Sequence, residues 1–110
     1  MISSKQKQHE GGVSDAVDVS YAKAAALLKA LAHPGRLQIV VELAGSDRCV
    51  HELVDALGLA QPTVSQHLQV LRAARLVTAT RVGKENRYNL VDHHVSHIVG
   101  EAIVHAGEHR

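Results

Sequence analysis

The 110 residues include one cysteine, two prolines and two tyrosines, and neither phenylalanine nor tryptophan. A lone thiol, Cys49, excludes an internal disulfide and fits a reducing compartment such as the cytoplasm. Without large rings the core must be built from Leu, Val, Ile and Ala. That set suits close-packed helices and leaves little with which to shape a pocket for a small-molecule substrate. The opening stretch "MISSKQKQHEGG" has no apolar run, so neither a signal peptide nor a membrane span is expected. A Gly-rich phosphate loop is missing. "HELVD" at 51–55 begins like the zinc-protease motif H-E-x-x-H, but Asp55 stands where the second histidine is required. The expectation is therefore no enzyme. The length suits one compact domain, small enough for self-association to contribute to its stability.

The formal net charge is only +1, yet it is unevenly placed. Residues 61–90 hold Arg72, Arg75, Arg81, Lys84 and Arg87 against Glu85, whereas residues 91–110 hold Asp92, Glu101 and Glu108 against Arg110. A basic middle and an acidic end suggest two tasks for two segments. The end also carries five of the nine histidines: His93, His94, His97, His105 and His109. Lys and Glu would serve solubility as well. Imidazoles interspersed with carboxylates are the donor set of a divalent transition metal.

Along the chain, residues 1–16 are polar and aperiodic and read as a flexible arm, leaving 17–110 as the folded domain. "VSYAKAAALLKALA" (19–32) reads as a helix rich in Ala, Leu and Lys. His33-Pro34 breaks it, and Pro34 suits the first turn of a second helix, "PGRLQIVVELA", with Gly45 expected as its left-handed cap. "CVHELVDALG" is a short third helix, "LAQ" a tight turn, and "PTVSQHLQVLRAA" a fourth helix with Val64, Leu68 and Leu71 on one face. The period then changes. "LVTATR" and "NRYNL" alternate around "VGKE", which predicts a β-hairpin with a basic tip. A last helix starts at Asp92.

Two short helices joined by a tight turn and followed by a basic hairpin have the order of a winged helix-turn-helix. The fourth helix shows Gln61, Thr63, Ser65, Gln66 and Gln69 away from its apolar face. These side chains donate and accept hydrogen bonds, as base edges in a major groove require. Arg81, Lys84 and Arg87 suit flanking phosphates. His67 falls at the flank of the apolar face and is expected to pack. The bland alternative is a helical domain with a solvated polar face.

"LLKALAHPGRLQIVVEL", "CVHELVDALGLAQPTVSQHLQVLRAARLV" and "GKENRYNL" together resemble the ArsR/SmtB family of bacterial metal-sensing repressors, over roughly residues 22–109. The resemblance implies a mainly α, homodimeric winged helix-turn-helix protein that binds double-stranded operator DNA and is released by metal. It also implies a second, auxiliary metal site at the start of the third helix, for which this chain offers Cys49, Glu52 and, from the arm, His9.

The last helix poses a reach problem. His94 and His105 lie eleven positions apart, close to three full turns, so they share a face but stand about 16 Å apart along the axis. A zinc–nitrogen bond is only about 2 Å. Two copies packed antiparallel would bring Asp92 and His94 of one to His105 and Glu108 of the other, giving two equivalent sites. These four positions also match the family's last-helix metal motif. His109, i+4 from His105, is a candidate substitute for Glu108, and nickel or cobalt are alternatives to zinc. In relatives the second N–H of the ligand at the His105 position reaches the backbone just after the recognition helix, which here is Arg75. The competing expectation is a winged-helix regulator with another inducer or no metal response.

Overall fold

The computed structural model describes residues 12–108. The run of Ala, Leu and Lys before His33 winds into α1 (Gly12–Leu31). The helix reaches back beyond Val19 into the expected arm, because no proline interrupts it and extending a formed helix costs little. His33 breaks it and caps the next helix: its Nδ1 accepts the Gly35 N–H at 3.0 Å. Pro34, lacking a donor, occupies the first turn of α2 (Pro34–Gly45) without leaving a bond unmade.

Gly45 does not supply the left-handed cap expected of it. It is the last helical residue, and the chain leaves through Ser46 in extended geometry at φ −174°. The reason lies a few residues on. Arg48 pairs with Tyr88 of the hairpin through Tyr88 N–H to Arg48 O at 2.8 Å and Arg48 N–H to Tyr88 O at 3.2 Å, so the chain must straighten at once.

Cys49 then caps α3 (Val50–Leu57), and the Glu52 carboxylate reaches back to accept the Cys49 N–H at 2.9 Å. Gly58, at φ +69°, ends this helix in the left-handed region. After the short turn comes α4 (Gln61–Ala73). Arg75 sits beyond its end at φ +62°, an uncommon backbone for a side-chain-bearing residue, and Leu76 N–H closes back on Leu71 O at 2.9 Å.

Strands β1 (Val77–Val82) and β2 (Glu85–Leu90) pair antiparallel, from Val77 opposite Leu90 to Val82 opposite Glu85. Gly83 and Lys84 turn the hairpin, with Gly83 at φ +64°. Asp92 accepts the His94 N–H through Oδ1 at 2.9 Å and so starts α5 (His93–Glu108).

The core lies where α2, α3, α4, the hairpin root and α5 meet. Ile39, Val40, Leu53, Val64, Leu68, Leu71, Leu76, Val77 and Val99 are almost wholly enclosed, each contributing about 1.5–3 kcal/mol of burial. The two outer helices are less well covered. Tyr21 and Leu28 of α1, and Ile98, Ile103 and Val104 of α5, are exposed apolar side chains. The radius of gyration, 17.4 Å, exceeds the roughly 13 Å of a compact chain this long. Among the described residues no helix is long and apolar enough to cross a membrane.

Candidate functional site

Burial of Val64, His67, Leu68 and Leu71 fixes the rotation of α4. Gln61, Thr63, Gln66 and Gln69 are consequently exposed along its outer side, with Ser65 half-buried among them. Gln61 Nε2 donates to Ser65 Oγ at 2.9 Å, so these two hold each other in place at the helix start. Arg81 and Lys84 project from the hairpin tip into solvent, and Arg81 Nε steadies the turn by donating to Gly83 O at 3.1 Å.

Arg87 differs from its sequence expectation. It is turned inward among three carboxylates: Asp47 at 3.1 Å, Glu52 at 3.0 Å and Glu85 at 3.6 Å. Its pKa is raised, first by the hydrogen bond to Asp47. That of Glu52 is lowered, first by the Cys49 amide. With its fork occupied, Arg87 fixes the hairpin to the start of α3 rather than offering a free cation. Spacing along the strand does not reveal this, because its partners Asp47 and Glu52 are 40 and 35 positions away.

His67 is buried as expected, but in a cluster that local sequence does not assemble. Its ring packs on His33, with centroids 4.4 Å apart. Arg36 NH1 lies 3.3 Å from His67 Nδ1. A guanidinium can only donate, so Nδ1 accepts and the proton of neutral His67 sits on Nε2. That atom is buried without a hydrogen-bond partner and faces Gly35. Burial first, then the charges of His33 and Arg36, hold the pKa of His67 below the ordinary 6.5. The unfolded chain therefore takes up this proton more readily than the folded one. The neutral ring supports the fold fully above pH 6.5, and that support declines as pH falls from there towards the lowered native value. Melting temperature should drop between about pH 7 and about pH 5, and the drop should be shallower in His67→Gln.

At the opposite edge, Asp92 Oδ1 and His94 Nδ1 stand 3.4 Å apart, both exposed. Donor atoms around a tetrahedral ion with bonds of about 2.0–2.3 Å are roughly 3.3–3.8 Å apart, so this pair fits half of such a site. His105 and Glu108 belong to the far end of the same helix. At 100° per residue His94, Ile98 and His105 fall within about 40° of one another, which places an exposed apolar side chain between the two imidazoles. His109 and His9 lie outside the described residues.

Of the auxiliary set of Cys49, Glu52 and His9, the structure describes Cys49 and Glu52. The Glu52 carboxylate is occupied by the Cys49 amide and by Arg87. Among the described residues, the donors that converge on Cys49 are His51 and, from the first residue of β2, Glu85, with one ligand atom of each within 4.8 Å of the others. In the sequence His51 is only a near neighbour of Cys49. Glu85 carries no local signal, since only the folding of the hairpin onto α3 brings it there.

Comparison with known proteins agrees with this architecture. Residues 33–79 match the model of the bacterial regulatory protein, arsR family. The HTH-type transcriptional repressor SmtB of Mycobacterium tuberculosis is 60% identical over 82 residues, 74% of this chain and 61% of that protein, so the match spans about three fifths of the relative's length. The HTH-type transcriptional regulator NmtR of the same organism is 42% identical over 77% of this chain and 71% of its own. A homodimeric winged helix-turn-helix DNA-binding domain from Mycobacterium bovis, solved by NMR, superposes with a TM-score of 0.78 at 34% identity, covering 86% of this chain and 88% of that one.

Proposed function

Because the chain belongs to the ArsR family of bacterial regulatory proteins, we propose that it is a homodimeric, metal-responsive repressor acting on operator DNA in the cytoplasm. The observation that carries the metal response is the Asp92–His94 pair at 3.4 Å. It is half a ligand set at one end of a helix, with His105 and Glu108 beyond reach at the other end.

The apolar side chains that α1 and α5 leave exposed supply the reason to dimerise. Tyr21, Leu28 and Ile98 need a cover, and a second copy provides one for both chains at once. Antiparallel pairing of the α5 stripes across Ile98 brings Asp92 and His94 of one chain to His105 and Glu108 of its partner. His109 is the alternative fourth donor. Two imidazoles and two carboxylates suit zinc, with nickel or cobalt as alternatives of higher coordination number. When bound, the ion supplies a crosslink between subunits and no chemistry.

In the dimer the two α4 helices enter major grooves about one helical turn apart. Gln61, Thr63, Ser65, Gln66 and Gln69 meet base edges, while Arg81 and Lys84 meet phosphates. Filling the α5 sites favours one inter-subunit arrangement and lowers DNA affinity to the extent that the DNA-competent arrangement holds the ion less well. The second N–H of His105 is proposed to engage the carbonyl of Arg75. The left-handed bend at Arg75 ends α4, so a pull there reaches the reading helix directly.

Fluorescence anisotropy with the operator tests this reading. Affinity should fall steeply with salt, by about 0.9 in the log–log slope per phosphate contact, and should fall again on adding zinc at fixed salt. Gln66→Ala should cost about 1–3 kcal/mol on the specific site with little change on random DNA. Salt-dependent binding that zinc leaves unchanged would identify a regulator with a different inducer.

A further inference from the structure

The wing is a sheet of two strands only, and a lone hairpin holds its shape poorly in water. Its tip must nonetheless bring Arg81 and Lys84 to the DNA backbone at a set distance from α4. We propose that Arg87 is the positioning residue for this contact: braced against Asp47 and Glu52, it sets where the wing meets phosphate without touching DNA itself. The proposal rests on the DNA-binding part of the reading above and not on the metal response.

Three features carry it. The first is place. Arg48 and Tyr88 pair through both backbone amides at the foot of the wing. Arg87, opposite Thr80 in the ladder, adds the next tie outward. Beyond it, among the described residues, no hydrogen bond joins the hairpin to the helices, and the side chains of Arg81 and Glu85 engage partners within the wing. An open cavity lined by His51, Gln61 and Asn86 lies between the outer wing and the starts of α3 and α4. Lys84 stands about 10 Å further out than Arg87 at the rise of a strand, so a small tilt at the brace is magnified at the tip.

The second feature is geometry. Arg87 Nε donates to Asp47 Oδ2 at 3.1 Å, and NH2 donates to Asp47 O at 3.2 Å and to Glu52 Oε1 at 3.0 Å. The planar fork of a guanidinium serves two side chains and a carbonyl at once, which an ammonium cannot do. Each pair is partly exposed and weak alone. Their anchors are firm, however. Glu52 Oε1 also accepts the Cys49 amide at the start of α3, and Asp47 adjoins Arg48, whose backbone is paired with Tyr88.

The third feature is charge. Carboxylates beside a reading head oppose DNA by their charge alone. Bracing the wing gives Asp47 and Glu52 a use there, and it predicts an effect of the sign opposite to electrostatics.

The full-length chain binding a random-sequence duplex in EDTA reads the brace without operator or metal. Each phosphate contact steepens the log–log salt slope by about 0.9. Replacing Arg81 and Lys84 together by Ala should flatten the slope by about 1.8. Arg87→Lys keeps the charge, yet it should flatten the slope by more than the about 0.9 that one side chain's own contact accounts for. Added to the Arg81 and Lys84 replacements, Arg87→Lys should change nothing further. Asp47→Ala should weaken binding by at least about threefold, although it removes a negative charge. All are measured well below the melting temperature of each variant. A native slope in Arg87→Lys overturns the proposal. Tighter binding by Asp47→Ala, the result of charge alone, does so too. A slope that the Arg81 and Lys84 replacements leave unchanged also overturns it, because the wing then meets no phosphate. None of these outcomes bears on DNA release by zinc at the α5 site.

Discussion

Zinc should weaken operator binding of the native chain by about 5–150-fold, the usual span of a coupling free energy of 1–3 kcal/mol, and His105→Gln should abolish that response while metal-free affinity stays as it was. Glutamine keeps the bulk of the side chain and an N–H donor, but it replaces the imidazole nitrogen that would bind zinc with an amide oxygen, a much weaker zinc ligand, so the ion is no longer tied to the donor at the Arg75 carbonyl. The partner experiment concerns Asp92 and needs care. Its Oδ1 also accepts the His94 N–H at 2.9 Å and so caps α5. Asp92→Ala would remove donor and cap together, costing about 0.5–2 kcal/mol of helix stability. Asp92→Asn retains a cap acceptor and loses the charge that favours a divalent ion. A shift of the zinc response to higher concentration in Asp92→Asn, with an unchanged melting temperature in EDTA, isolates the ligand role. An undiminished zinc response in His105→Gln would sink the mechanism.

Gly35→Val should destabilise the fold by about 1–3 kcal/mol, the cost of overpacking a filled site. A Cβ at this position would lie 2.8 Å from His67 Nε2, 3.0 Å from His67 Cδ2 and 3.4 Å from His33 Nδ1. The His67 ring has no exit, being buried between His33 and Arg36. Gly45 is the internal control. It lies in the same helix with nothing within 4 Å of its added Cβ, so Gly45→Ala should gain about 0.4–1 kcal/mol. Chemical denaturation reads both. His67→Ala introduced beside Gly35→Val should recover part of the loss, and simple additivity in that cycle would show that the two residues do not meet.

The elements that local pattern announces are those the folded chain contains. Val64, Leu68 and Leu71 predict the rotation of α4 because helix period and burial coincide there. Gly58 ends α3, and Gly83 turns the hairpin, because both positions need a positive φ. Gly45 misleads for the complementary reason: the path of the chain beyond it is set by the pairing of Arg48 with Tyr88, a contact from far along the chain that the local sequence does not contain. Arg87 reads as a free cation until Asp47 and Glu52 are brought to it by folding. His51 and Glu85 meet only after the hairpin docks. The separation of His94 from His105 is legible because the helical rise alone sets it, whereas the proposed joining of these two ends needs a second chain, which no local pattern describes.

The uncovered flanks of α1 and α5 carry a consequence for abundance. If a twin supplies their cover, folding and pairing are linked by mass action, and dilution should lower the midpoint of thermal unfolding. A cell holding few copies would then keep a reserve of half-formed subunits, exposed to proteolysis until their number rises. The amount made, as much as the inducer, would decide when the promoter falls silent.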